Sequence, residues 1–80
     1  MTTQKAVALR ISNLLIKNRM TQYTLCKKIA MSEETLRSII SERYKTVKLD
    51  TIINICDGFD ITIQEFFDDE LFNRANLNID

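Results

Sequence analysis

Eighty residues suffice for one domain, and a chain this short needs a tightly packed core because it buries a smaller share of its surface than a long one. An apolar share of 45% and a charged share of 28% describe an ordinary globular protein, with no run long enough to span a bilayer. The net charge of zero conceals a division: residues 1–48 carry ten basic groups against three acids, a net of +7, whereas residues 49–80 carry one against eight, a net of −7.

With no histidine, a single glycine and two cysteines at no metal-type spacing, the chain offers no metal site, no phosphate-cradling loop and no nucleophile–base arrangement. Neither catalysis nor a cofactor is expected, and no small-molecule ligand is evident. The first residues, MTTQKAVALR, lack the basic-then-apolar layout of a secretory signal. The expected compartment is the cytoplasm, where Cys26 and Cys56 serve as small buried residues.

The elements are punctuated by caps, since there is no proline. Val7, Ile11, Leu14 and Leu15 recur at helical spacing and predict a first helix from about Gln4 to Lys17, ended by Asn18 and Arg19, with the asparagine suited to a left-handed stop. Lys5, Arg10 and Lys17 read as its solvated face. Thr21 caps a short second helix with Leu25, Cys26 and Ile29 inward. Ser32 caps a third, whose first turn holds Glu33 and Glu34 and whose buried stripe is Leu36, Ile39 and Ile40.

A polar loop from Ser41 to Lys48 precedes a fourth helix with the stripe Leu49, Ile52, Ile53 and Cys56, ending near Phe59 and Asp60. Thr62-Ile63-Gln64-Glu65 is a capping box that opens a fifth helix with Phe66 and Phe67, which the tail LFNRANLNID would extend. If that helix is regular, one of the two phenylalanines must face outward.

Two short helices joined by a few residues must cross steeply, and Leu25, Cys26, Ile29, Met31, Leu36 and Ile39 supply the internal face that a helix-turn-helix needs. The sequence resembles the phage repressor and Cro class of helix-turn-helix regulators, the XRE family. The resemblance rests on Met20-Thr21-Gln22, Leu25 to Ser32, Thr35-Leu36 with Ile39, Leu49 to Ile52, Ile55-Cys56 and Ile61 to Phe67. The chain departs from the family pattern with Cys26 for alanine, Ala30 for glycine at the turn, and Glu42 for the glycine that often follows the third helix.

That resemblance implies an all-α, five-helix bundle of the lambda-repressor-like type, with residues 1–70 as the DNA-binding domain, its helix-turn-helix at 21–41, and 71–80 as a tail. It implies base contacts from Glu33, Glu34, Thr35 and Ser38, and phosphate contacts from Thr21, Gln22, Arg37, Ser41, Arg43, Tyr44 and Lys45. It further implies a homodimer on a palindromic operator in double-stranded DNA. Phe67, Leu71 and Phe72 are the residues expected at the dimer contact.

Glu33 and Glu34 leave three readings open: caps for the helix dipole, acceptors for cytosine N4, or groups that repel phosphate. Under the last, the scaffold serves protein interaction, as an antitoxin or anti-repressor. Arg37 at helical spacing is expected to relieve the repulsion by pairing with one of them.

Overall fold

The computed structural model describes residues 1–79, in which five α-helices and two 3-10 turns enclose one core and no strand occurs. The helices are α1 (Thr3–Lys17), α2 (Gln22–Ile29), α3 (Glu33–Ile40), α4 (Leu49–Phe59) and α5 (Ile63–Phe67). The 3-10 turns are Glu70–Phe72 and Arg74–Asn76. Side-chain caps start four of the five helices: Thr2, Thr21, Ser32 and Thr62 each accept a backbone N–H three residues on.

The capping box at Thr62 is complete. Glu65 N–H donates to Thr62 Oγ1 and Thr62 N–H to Glu65 Oε1, both at 3.0 Å. The hydrogen bonds from Thr62 hold the Glu65 carboxyl below the ordinary carboxylate range.

The core is built from Val7, Ile11, Leu14 and Leu15 of α1, Leu25, Cys26 and Ile29 of α2, Leu36 and Ile39 of α3, and Ile52, Ile55, Cys56 and Phe59 of α4, closed by Phe66. On α4 the buried stripe therefore runs through Ile55 and Phe59, whereas Leu49 and Ile53, expected inside, are 57% and 42% exposed. Both registers have helical spacing. Helices α2 and α5 pack against the side that carries Ile52, Ile55 and Phe59, and Leu49 and Ile53 are left outside.

Two further expectations, at the ends of α1 and α5, are corrected. Arg19, with φ 51°, takes the left-handed position after α1, while Asn18 stays at φ −91° and donates its side-chain amide to Leu14 O at 2.7 Å. The tail does not extend α5: the helix stops at Phe67, and Asp69 Oδ1 accepts Leu71 N–H at 2.9 Å to start a separate turn. That turn folds Phe72 back against the core.

Arg10 is not part of a solvated face. Its Nε donates to Phe66 O at 2.7 Å, one terminal nitrogen to Glu65 O at 2.8 Å, and the other to Asp69 Oδ2 at 3.2 Å. The guanidinium is 14% exposed and lies 5.9 Å from the Phe66 ring centroid, so it caps α5 at its C-terminal end, where helix carbonyls lack partners of their own.

Gly58 lies within α4 where α2 comes closest. A Cβ there would stand 2.5 Å from Leu25 Cδ1 and 2.7 Å from Ile29 Cγ2. Alanine would gain up to about 1 kcal/mol of helix propensity, but overpacking costs about 1–3 kcal/mol and wins. Gly58→Ala is expected to lower the urea midpoint with an unchanged m-value, and an equal or higher midpoint would contradict this packing.

Candidate nucleic-acid interface

The turn between α2 and α3 decides what α3 can present. Ala30 is left-handed at φ 52° and ψ 42°, and Met31 N–H bonds back to Cys26 O at 3.1 Å. Asn54 of α4 donates to Ile29 O at 3.3 Å, fixing the end of α2 from outside. The Cys26 thiol lies 3.7 Å from Ser32 O, the residue that caps α3. Burial first, then the Glu33 charge, push that thiol above its ordinary value, and Arg37 works against them. Leu36 and Ile39 anchor the inner side of α3, at 0% and 3% exposure.

The outer side begins with Glu33 and Glu34, both exposed. Thr35 is half-buried, and its hydroxyl receives a hydrogen bond from Ser32 Oγ at 2.7 Å. Ser38, expected to reach a base edge, is buried at 5% exposure. The chain after α3 turns back onto its backbone carbonyl: Arg43 N–H bonds Ser38 O at 2.9 Å, and Ser41 Oγ approaches the same carbonyl at 3.5 Å. Arg37 is exposed and does not pair with either glutamate. Among the described residues the one ion pair is Arg10–Asp69.

The fold-back is possible because Glu42 occupies the left-handed region at φ 63°, as a glycine would. It carries Ser41, Arg43, Tyr44 and Lys45 to the surface beside α3, with Arg43, Tyr44 and Lys45 all exposed. A groove of about 380 Å³ runs beneath this loop, lined by Thr35, Ile39, Tyr44, Val47 and Thr51 among others. At the start of α2, Thr21 Oγ1 accepts Thr24 N–H at 3.1 Å and lies 3.0 Å from Thr24 Oγ1, while Gln22 is half-buried. The candidate interface thus combines the exposed first turn of α3, the start of α2 and the basic loop.

Sequence reading passed over Tyr23. It is 55% exposed on the first turn of α2, and the Lys27 amine lies 5.3 Å from its ring centroid. The signal available was an aromatic residue four positions before a lysine on a helix.

The C-terminal aromatic residues form a cluster at some remove in the sequence. Phe66 and Phe67 meet edge to face at 5.1 Å and Phe67 and Phe72 at 4.8 Å, with Phe66 enclosed and Phe67 37% exposed. Among the described residues no cluster of potential metal ligands occurs, and no helix is long and apolar enough to cross a membrane.

Ala30 offers a direct check on the geometry of the corner. The left-handed conformation costs a residue with a Cβ about 1–2 kcal/mol, and glycine returns about 0.5–1 kcal/mol of that as extra freedom of the unfolded chain. Ala30→Gly is therefore expected to stabilise the fold, by up to about 1.5 kcal/mol in urea unfolding. A clear loss of stability would mean that the turn has another shape.

A family model describing the Cro/C1-type HTH DNA-binding domain matches residues 10–71. No curated protein and no solved structure matches the chain.

Proposed function

The chain belongs to the Cro/C1-type helix-turn-helix DNA-binding family, and we propose that it is a sequence-specific transcriptional regulator that represses by occupying a palindromic operator as a symmetric homodimer. The observation that carries this reading is the exposed first turn of α3, held on a rigid corner and flanked by cations that have no carboxylate partner among the described residues. Repression is the simplest act open to such a domain, since occupancy alone blocks a promoter.

Arg43, Lys45 and Arg37 supply charge to the DNA backbone, with Thr21, Gln22, Ser41 and Tyr44 as neutral partners. In this reading the exposed Glu33 and Glu34 accept hydrogen bonds from cytosine N4, with Thr35 beside them. Ser38, being buried, takes part only where its surroundings open on binding.

Salt-dependent titrations separate these roles. Arg43→Ala and Lys45→Ala are expected to weaken all duplexes alike and to reduce the salt slope by roughly 0.9 for each phosphate left without its cation. If a glutamate reads cytosine, Glu33→Gln or Glu34→Gln changes preference at one position of each half-site. If both only cap the helix, the glutamine variants gain affinity uniformly as repulsion eases. Absence of salt-dependent duplex binding by the parent chain would remove the DNA reading. It would favour the protein-interaction reading, in which the acidic turn faces a protein partner.

The dimer contact we propose is Phe67, Leu71 and Phe72; the exposure of Phe67 and the groove of about 470 Å³ that Phe67 and Phe72 border support it. Val7, Val47, Ile52 and Leu77 help to line that groove. Sedimentation equilibrium is expected to show a concentration-dependent dimer that Phe67→Ser weakens. A monomer at high micromolar concentration, unchanged when operator is added, would overturn the pairing.

A further inference from the structure

We infer that Tyr23 and Lys27 form a composite contact to the DNA phosphate backbone on the α2 flank of the recognition helix. This rests on the DNA-binding reading above and adds to it the residue pair that charges this flank. Placement on the helix comes first. Cys26 faces the start of α3, through its contact with Ser32 O at 3.7 Å, whereas Leu25 and Ile29 face Gly58 of α4. A helix turns roughly 100° per residue, which sets Tyr23 roughly 60° and Lys27 roughly 100° beyond Cys26, on the side away from Leu25. Both therefore stand on the outward side of α2 that borders α3. Lys28, roughly 200° from Cys26, does not.

Charge points to the same pair. Glu33 and Glu34 bring two negative charges to the surface that would enter the groove, so attraction to phosphate must come from Arg37 and from the shoulders on either side. On the loop shoulder Arg43 and Lys45 supply it. On the α2 shoulder Thr21 and Gln22 carry no charge. Lys27 is the lysine of α2 on the correct side. Among the described residues no carboxylate lies within ion-pair distance of it, and residues 1–32 contain no acid at all.

The tyrosine has no structural duty that would explain it. A side chain of this size, 55% exposed and outside the core cluster, contributes little to holding the fold. Its ring gives the Lys27 amine a resting place at 5.3 Å, limiting the freedom of a long flexible side chain, and its hydroxyl remains able to donate to a phosphate oxygen. The pair thus offers one charge and one neutral donor from a partly ordered arrangement.

The test uses the full chain, a duplex selected from a randomised pool and a second duplex of unrelated sequence, titrated across a salt series. Tyr23→Phe keeps the ring and removes the hydroxyl. It is expected to weaken binding about three- to tenfold on both duplexes with the salt slope retained. Lys27→Gln is expected to make the slope shallower by roughly 0.9, with base preference unchanged. Lys28→Gln is the control for a general loss of positive charge.

Urea unfolding of each variant separates a binding defect from a folding defect. Parent-like binding by both Tyr23→Phe and Lys27→Gln overturns the inference and leaves the DNA reading standing. An equally shallow slope in Lys28→Gln overturns it too, since the effect would then be a diffuse field. If the parent chain itself shows no salt-dependent binding to either duplex, both readings fall together.

Discussion

Each of the four turns between the five α-helices passes through a left-handed residue that is not glycine. Arg19, Ala30, Glu42 and Asp60 hold φ between 51° and 63° at these corners. Each conformation costs about 1–2 kcal/mol for a residue with a Cβ, and so persists only where packing on both sides leaves no alternative. The packing is visible on both flanks of every corner: Leu15 and Leu25, Ile29 and Leu36, Ile39 and Ile52, Phe59 and Phe66 are all buried. The single glycine, meanwhile, sits inside α4 where α2 needs room. Backbone strain at the corners and close helix packing in the middle are thus two parts of one arrangement, and the direction of α3 is fixed by both.

Much of this arrangement could be read from local chemistry. Thr21, Ser32 and the Thr62–Glu65 box act within three residues of themselves, so their meaning does not depend on the fold around them. The corner residues Leu25, Cys26, Ile29, Leu36 and Ile39 were legible for a similar reason, since their spacing admits only one inward face. On α4 the spacing admitted two, and only the positions of α2 and α5 decide between Ile53 and Ile55. Asn18 and Arg19 show a different limit. The left-handed site is chosen by where α1 must stop, and the residue found there accepts it whatever its propensity.

The candidate site was legible in its charges and less so in its access. Glu33, Glu34, Arg43 and Lys45 are on the surface as their chemistry requires, but whether a small polar residue reaches solvent depends on what folds over it. Ser38 is buried, and its carbonyl holds a turn whose shape depends on Glu42 behaving as a glycine would. Two oppositely charged halves invite extensive mutual pairing, yet among the described residues a single ion pair, Arg10–Asp69, joins them. The remaining charge of the basic half is left to act outward, where ionic strength governs its reach.

The Arg10 clamp has a consequence for synthesis of the chain. A ribosome releases residues in order, and the partners of this guanidinium lie 55 to 59 positions downstream. Helix α1 can coil as soon as it emerges, but its arginine then has neither the Glu65 and Phe66 carbonyls nor the Asp69 carboxylate, and the surface that Phe66 closes stays open to water. The α2–α3 corner is made of neighbouring residues and can assemble early. The nascent chain thus passes through an interval in which α3 can form on an unclosed bundle, and that interval ends when α5 and the turn behind it leave the tunnel.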